Sequence, residues 1–223
     1  MDEKDLTEIT RTQTELQNRF RALPEEGTII EYFGKDFVVY KGVFWPFDDS
    51  KPLVENYAIE RGESVLDVCT GSGVIAVISA YKGAGKVVAL DKNPDAVRAV
   101  RVNAKMHGFE GTIDVRLSDM FEALGEDERF DVITGNLPFR DKEAGDIVEA
   151  SMWDTNLSAH RKFFDGVEQH LNPHGRVYLA QANYGAIDEM KAMAAEKGFT
   201  IRLIGEKAIP ETLRIFYAFE LKK

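Results

Sequence analysis

The sequence predicts an α/β protein: a Rossmann-like, doubly wound, mainly parallel seven-stranded sheet closed by an antiparallel C-terminal strand. Three observations carry this reading. From Glu63 onward, short apolar runs of strand length alternate with helical stretches, the pattern of a parallel sheet with helices on both faces. Gly71 and Gly73 fall between the first of these runs and the first helix, where such folds open a helix N-terminus toward a ligand. The last two runs follow one another with no helix between them, which predicts an antiparallel pair.

In order along the chain, Leu6, Ile9, Leu16, Phe20 and Leu23 recur at helical spacing, broken only by Gln13, and Pro24 ends the helix. Two β-rich runs then flank Gly34-Lys35-Asp36 as a hairpin. "DDSKPLVENYAIERGE" opens with capping-type residues and enters a helix. "SVLDVC" reads as a buried strand, "SGVIAVISAYKG" as a helix and "KVVALD" as a strand. Asn93 caps the helix "NPDAVRAVRVNAKMHG", with Pro94 at its first position. "TIDVRLSD" and "DVITGN" are strands, and "LSAHRKFFDGVEQHLNPHG" is a helix with a terminal turn. "RVYLAQAN" is a strand, "AIDEMKAMAAEKG" a helix, and "FTIRLIGEKA" and "LRIFYAFELKK" the closing strands. Residues 1–48 are expected to form a helix-hairpin cap and residues 49–223 one ligand-binding domain.

Composition narrows the function. The chain has 223 residues, 44% hydrophobic and 30% charged, an ordinary globular composition. No run has the roughly 18 apolar residues of a membrane helix. The acidic start "MDEKDLTEIT" is not that of a signal peptide. A single cysteine, Cys69, excludes an intrachain disulfide and a cysteine-based zinc site, and a reducing cytoplasm is the expected compartment. No His, Asp and Glu spacing resembles a metal site. The net charge of −10 argues against nucleic acid as partner, because Arg98, Arg101 and Lys105 do not offset the acidic total.

The ligand can be read from the strand ends. Gly71, Gly73 and Ala76 satisfy a dinucleotide-type pattern, and Asp91 ends the second sheet strand at the right distance to hold a ribose cis-diol. A carboxylate there repels a 2′-phosphate, so NADP is disfavoured, while NAD and S-adenosylmethionine remain. Asp67, four residues before Gly71, would repel a pyrophosphate and suit an ammonium. Asp119, after the third strand, can accept from an adenine amino group. Three acids at three successive strand ends favour a cationic adenosyl ligand, although each could instead cap a helix.

"DVCTGSG", "ALDKNPDAV", "LSDMFE" and "GNLPF" resemble, in order, the motifs of class I S-adenosylmethionine-dependent methyltransferases. The last is similar to the Asn-Pro-Pro-Tyr/Phe motif of the N-methyltransferase branch, which includes protein-glutamine and small-domain rRNA guanine-amine methyltransferases. "GVFWPFDDSKPLVEN" is similar to the segment before the cofactor strand in protein-glutamine enzymes. The resemblance covers roughly residues 42–183. It implies S-adenosyl-L-methionine as cofactor, held by Asp67, Cys69, Thr70, Gly71, Gly73, Asp91, Lys92, Asp119, Met120 and Asn136. Two departures stand out. Cys69 occupies the position of the first motif glycine, and Leu137 that of the first motif proline.

The resemblance further implies catalysis by Asn136 and Phe139. The Asn136 oxygen and the Leu137 carbonyl would accept the two N–H hydrogens of a planar nitrogen, bonds that strengthen as positive charge grows there. Pro138 would stiffen the turn and Phe139 stack on the acceptor. "RDKEAGDIVEASMWDTN" reads as a lid segment. Trp45, Trp153 and Asp154 are the remaining substrate-binding candidates, with Phe47, Asn183 and Tyr184 near the same end. Packing in the hairpin core is the competing role for Trp45 and Phe47, and His160 reads as structural. The expected activity is methyl transfer to an amide or amine nitrogen of a protein or small molecule. The alternatives are an RNA base-amine methyltransferase, other sulfonium chemistry on a small molecule, a non-catalytic cofactor-binding subunit and, more distantly, an NAD dehydrogenase. Oligomeric state is left open; the N-terminal helix either closes over the site or meets another subunit, with closure slightly preferred.

Overall fold

A computed structural model describes residues 2–223. The chain opens with helix α1 (Glu3–Arg21), whose N-terminus is closed by a reciprocal capping box between Asp2 and Asp5. A hairpin follows, β1 (Thr28–Tyr32) and β2 (Lys35–Val39). Its turn is Phe33-Gly34, both at positive φ, so Lys35 and Asp36 belong to the second strand rather than to the turn. Then come α2 (Lys51–Asn56), β3 (Ser64–Val68), α3 (Val74–Tyr81), β4 (Lys86–Asp91), α4 (Pro94–Met106), β5 (Ile113–Leu117) and β6 (Phe130–Gly135). The chain ends with α5 (Ser158–Gly166), β7 (Leu171–Ala182), α6 (Ile187–Glu196), β8 (Thr200–Ala208) and β9 (Ile215–Lys222).

The sheet order is β5-β4-β3-β6-β7-β9-β8, with β9 antiparallel to both neighbours and the other pairs parallel. Strand residues alternate between two apolar layers. Val65, Val87 and Val132 pack with α3, α4, α2 and the hairpin on one face. Leu66, Val88 and Ile133 pack with Phe163 and Phe164 of α5 and Met190 of α6 on the other. Burial on both faces explains why the central strands read as nearly unbroken apolar runs.

The hairpin shares the core of the sheet. Ile30, Phe37 and Val39 belong to the same cluster as Val65 and Val87. Buried Asn103 on α4 clamps this arrangement, accepting from Val38 N–H at 2.7 Å and donating to Val38 O at 2.9 Å and Ser72 O at 2.8 Å. Helix α1 packs on a third cluster, where Phe20 meets Val148, Met152 and Trp153.

A second boundary differs from expectation. The helix predicted to run to Gly175 stops at Gly166, and β7 begins at Leu171 rather than Arg176. A Cβ on Gly166 would lie 2.4 Å from the Phe121 ring, so this residue marks a close approach of two segments. Beyond it, Phe130 N–H donates to His170 O and Asn172 Nδ2 to Asp131, which pulls the chain into the sheet.

Candidate active site

Parallel sheets bind ligands beyond the C-terminal ends of strands, where the strand order reverses. Here β3 lies between β4 and β6, and a cavity of about 320 Å³ opens over their C-terminal ends. At one end stand Cys69, Thr70, Gly71, Asp91, Lys92 and Asn93. At the other stand Asn136, Leu137, Pro138, Phe139, Tyr184, Arg214 and Phe216. Ile9, Thr12, Gln13 and Leu16 of α1 form part of the wall, with Phe47, Asp48 and Asp49 from the segment before α2.

The loop after β3 is organised by two buried or partly buried acids. Asp67 is fully buried. Its oxygens accept from Thr70 Oγ1 at 2.6 Å and Thr134 Oγ1 at 2.8 Å. Burial raises its pKa to about 6. It shapes the loop from below and does not line the cavity. Asp91 does line it. Its oxygens accept from Gly71 N–H at 2.9 Å and Asn93 N–H at 2.8 Å, and burial pushes its carboxyl above the usual range. The Gly71 amide is therefore engaged by a carboxylate rather than presented to a phosphate.

Gly73 is not on the cavity wall. It caps α3 with φ +83°, and a Cβ there would come within 2.9 Å of Val100, so the residue brings α3 against α4. Cys69 holds φ +58°, the left-handed region that glycine enters without strain. Its thiol is pushed well above its ordinary pKa, chiefly by burial and then by the Asp91 charge.

At the acceptor end, Asn136 Nδ2 donates to Asp49 Oδ2 at 2.6 Å. Asp49 is itself buried and accepts from Phe47 N–H at 3.0 Å, and burial raises its pKa. Asn136 Oδ1 is buried with no protein partner. The Phe139 ring forms a triad with Tyr184 at 6.3 Å and Phe216 at 6.2 Å, the latter two 6.1 Å apart. Leu137 is buried in the lower core beside Leu179.

Several expected site residues are not on the cavity wall. Asp119 pairs with Lys162, and Met120, at φ +51°, packs in the lower core, both away from the cavity wall. Trp45 stacks on Phe47 and has Arg19 over its ring. Trp153 is buried, donating Nε1 to Gln13 Oε1 at 2.9 Å. Asp154 caps α5, accepting from Ala159 N–H at 2.7 Å, and accepts from His160 Nδ1 at 2.7 Å. Gln181 Nε2 meets the other nitrogen of the buried His160 at 2.8 Å, so this histidine is a structural bridge. The sequence reading missed Asp49 and Arg214, while the α1 wall accords with its preference for closure of the N-terminal helix over the site. Gln13 carried the available signal, as the one polar break in an otherwise apolar stripe. It is buried, and its Oε1 accepts from both Trp153 Nε1 and Arg140 Nη1.

A ligand-sized cavity at the strand-order reversal, an acid ending the second sheet strand and an Asn-Leu-Pro-Phe step ending the fourth together define a Rossmann-like methyltransferase domain. The family model of the methyltransferase small domain matches residues 41–202, and the chain belongs to that family. It is 32% identical over 160 residues to a release factor glutamine methyltransferase of Cereibacter sphaeroides, covering 66% of this chain and 57% of that protein. It is 27% identical over 200 residues to a putative protein N5-glutamine methyltransferase of Methanocaldococcus jannaschii, covering 86% of this chain and 100% of that one. The chain thus spans little more than half of the first relative and the whole length of the second. Among solved structures, the T. thermophilus 16S rRNA N2 G1207 methyltransferase in complex with AdoMet and guanosine matches with a TM-score of 0.65 at 22% identity. That match covers 88% of this chain and 50% of the other, and it shows the shared fold. No group of acids, histidines and cysteines among the described residues could hold a metal ion, and no described helix is long and apolar enough to cross a membrane.

Proposed function

We propose that this chain is an S-adenosylmethionine-dependent methyltransferase that modifies the side-chain amide of a protein glutamine. The carrying observation is the fixed orientation of Asn136. An ionised carboxylate only accepts hydrogen bonds, so Asp49 holds the Asn136 NH₂ and leaves Oδ1, buried without a partner on a residue of the cavity wall, in need of a donor. An amide N–H supplies that donor. The relatives named for protein-glutamine methylation support the choice of acceptor.

The residues present fit an adenosyl ligand without phosphates. Asp91 lines the cavity as an acceptor for ribose hydroxyls, and the loop amide that would cradle a phosphate is already bonded to it. Bound there, S-adenosylmethionine supplies an electrophilic methyl group on a sulfonium. Asn136 Oδ1 and the Leu137 carbonyl accept the N–H hydrogens of the acceptor nitrogen. These bonds strengthen as positive charge grows on that nitrogen, so they favour the transition state over the ground state. Phe139, braced by Tyr184 and Phe216, offers a flat face to the planar amide. The α1 wall excludes water and helps fix the geometry of approach. The cytoplasm remains the expected compartment.

Titration of S-adenosylmethionine and S-adenosylhomocysteine into wild type and Asp91→Ala tests the cofactor site. Binding by wild type that the variant loses supports it. Absence of binding by wild type ends the methyltransferase reading. Mass spectrometry of glutamine peptides incubated with the cofactor then tests the acceptor, through gain of one methyl group.

A further inference from the structure

We infer that the acceptor end of the cavity reads a carboxylate beside the modified amide, with Arg214 as the specificity-determining residue, and that the acceptor is an acidic peptide segment. This inference rests on the amide-methylation reading and names the substrate class for that site.

Arg214 lines the cavity beside Tyr184 and Phe216, from the loop between β8 and β9. That loop is anchored. Asn183, at the end of β7, donates Nδ2 to Leu213 O at 2.7 Å and accepts from Ile215 N–H at 3.0 Å. These bonds bracket Arg214, so its Cα is held in place while its side chain meets the cavity. Arg214 pairs with no carboxylate among the described residues, whereas Arg116 holds two and Arg176 and Arg202 one each.

The nearby acids are already engaged. Asp48 pairs with Lys51 at 2.7 Å and Lys207 at 3.7 Å, and Asp49 is bonded to Asn136. A second guanidinium lies close by. Half-buried Arg140 donates Nη1 to neutral acceptors, Thr10 Oγ1 at 2.8 Å and Gln13 Oε1 at 3.1 Å. Both arginines act on partly buried Tyr184 in the same direction. Each favours its ionised form, against burial and the Asp49 charge. Two guanidinium groups thus stand near Tyr184 with no carboxylate partner among the described residues, and Arg214 is the one on the cavity wall, in a chain whose net charge is −10. A guanidinium fork matches a carboxylate with two parallel hydrogen bonds, and such a pair is stronger in a partly desolvated cavity than on an open surface.

The test is binding, read apart from turnover. Three N-acetylated pentapeptides carry a central glutamine flanked by glutamate, serine or lysine. Each is titrated into the protein saturated with S-adenosylhomocysteine, as are free glutamine and a short single-stranded RNA. The glutamate peptide is expected to bind wild type at least about tenfold more tightly than the serine peptide, with the lysine peptide weakest. Arg214→Gln is expected to remove the preference while S-adenosylhomocysteine binding is kept, and Arg214→Lys to restore part of it.

Equal binding of the three peptides, no binding by any of them, or a preference that survives Arg214→Gln overturns the inference. Free glutamine binding as tightly as the glutamate peptide, or RNA binding more tightly, overturns the assignment to an acidic peptide. If the glutamate peptide binds selectively through Arg214 but gains no methyl group under turnover conditions, the carboxylate site stands and the amide-methylation reading fails.

Discussion

Asn136 Nδ2 lies 2.6 Å from Asp49 Oδ2, joining the end of β6 to the segment that precedes α2, 87 residues earlier in the chain. The bond fixes the orientation of the Asn136 amide and leaves Oδ1 as the end without a protein partner. Removing it leaves the side chain free to flip. Asp49→Ala should lower turnover about tenfold to hundredfold, roughly 1.4–2.7 kcal/mol of barrier. Affinity for S-adenosylhomocysteine should change little. Asp49→Asn, which can pair with either orientation, should lie between the two. Loss of cofactor binding in parallel with turnover would show that Asp49 holds the whole cavity rather than the Asn136 orientation.

Helix α1 is latched by one buried amide. Gln13 Oε1 accepts from Trp153 Nε1 at 2.9 Å and Arg140 Nη1 at 3.1 Å. Gln13→Leu keeps the volume and deprives both donors of this acceptor. A cost of about 2 kcal/mol is expected, a fall in Tm of about 4–8 °C for a chain of this size. Because Gln13 also lines the cavity, cofactor affinity should drop. A thermal melt and a titration on the same variant check both expectations, and an unchanged Tm would rule out the latch.

Cys69 combines a positive φ with a thiol held protonated at neutral pH. Alkylation of the native protein at pH 7 should be much slower than of the urea-unfolded protein. Cys69→Val places a β-branched residue in the left-handed region and should cost about 1–3 kcal/mol. Cys69→Gly should stay closer to wild type, because relief of backbone strain offsets the lost packing. Urea unfolding of the two variants ranks them, and the reverse order would mean that packing outweighs backbone strain here.

Asp67 should leave a signature in the pH dependence of stability. Its pKa rises from 3.8 to about 6 on folding. Between those values the native state binds more protons than the unfolded chain, so this group removes stability as pH rises through the window. The full effect is about 3 kcal/mol. Asp67→Asn should flatten that part of the profile. Unfolding free energies measured by urea from pH 4 to pH 7 provide the comparison, and matching slopes in the two proteins would show that Asp67 carries no such shift.

Much of the fold was legible from local chemistry. The Asn93-Pro94 start of α4, the apolar runs of β3, β4 and β6 and the paired strands at the C-terminus each depend on periodicity or capping within a few residues. The site was legible where its residues sit at strand ends, as with Asp91 and Asn136. It was less so where one residue type can serve two purposes. Asp119 at a strand end reads as a ligand acid, yet Lys162 from α5 lies across from it. Asp154 reads as a substrate-contacting acid of the lid, yet it is buried against His160 and the first N–H groups of α5, and His160, read as structural, bridges it to Gln181.

The sequence by itself determined the doubly wound sheet and the order of its motifs, because strand and helix periodicity and turn chemistry act over short stretches. Tertiary structure decided which polar groups meet. Asp49 reaches Asn136, Gln13 reaches Trp153, and Arg214 lines the cavity opposite the loop after β3 only once distant segments pack. A buried polar atom is costly without a partner, and for Asn136 Nδ2 and Gln13 Oε1 that partner lies more than eighty residues away in the chain.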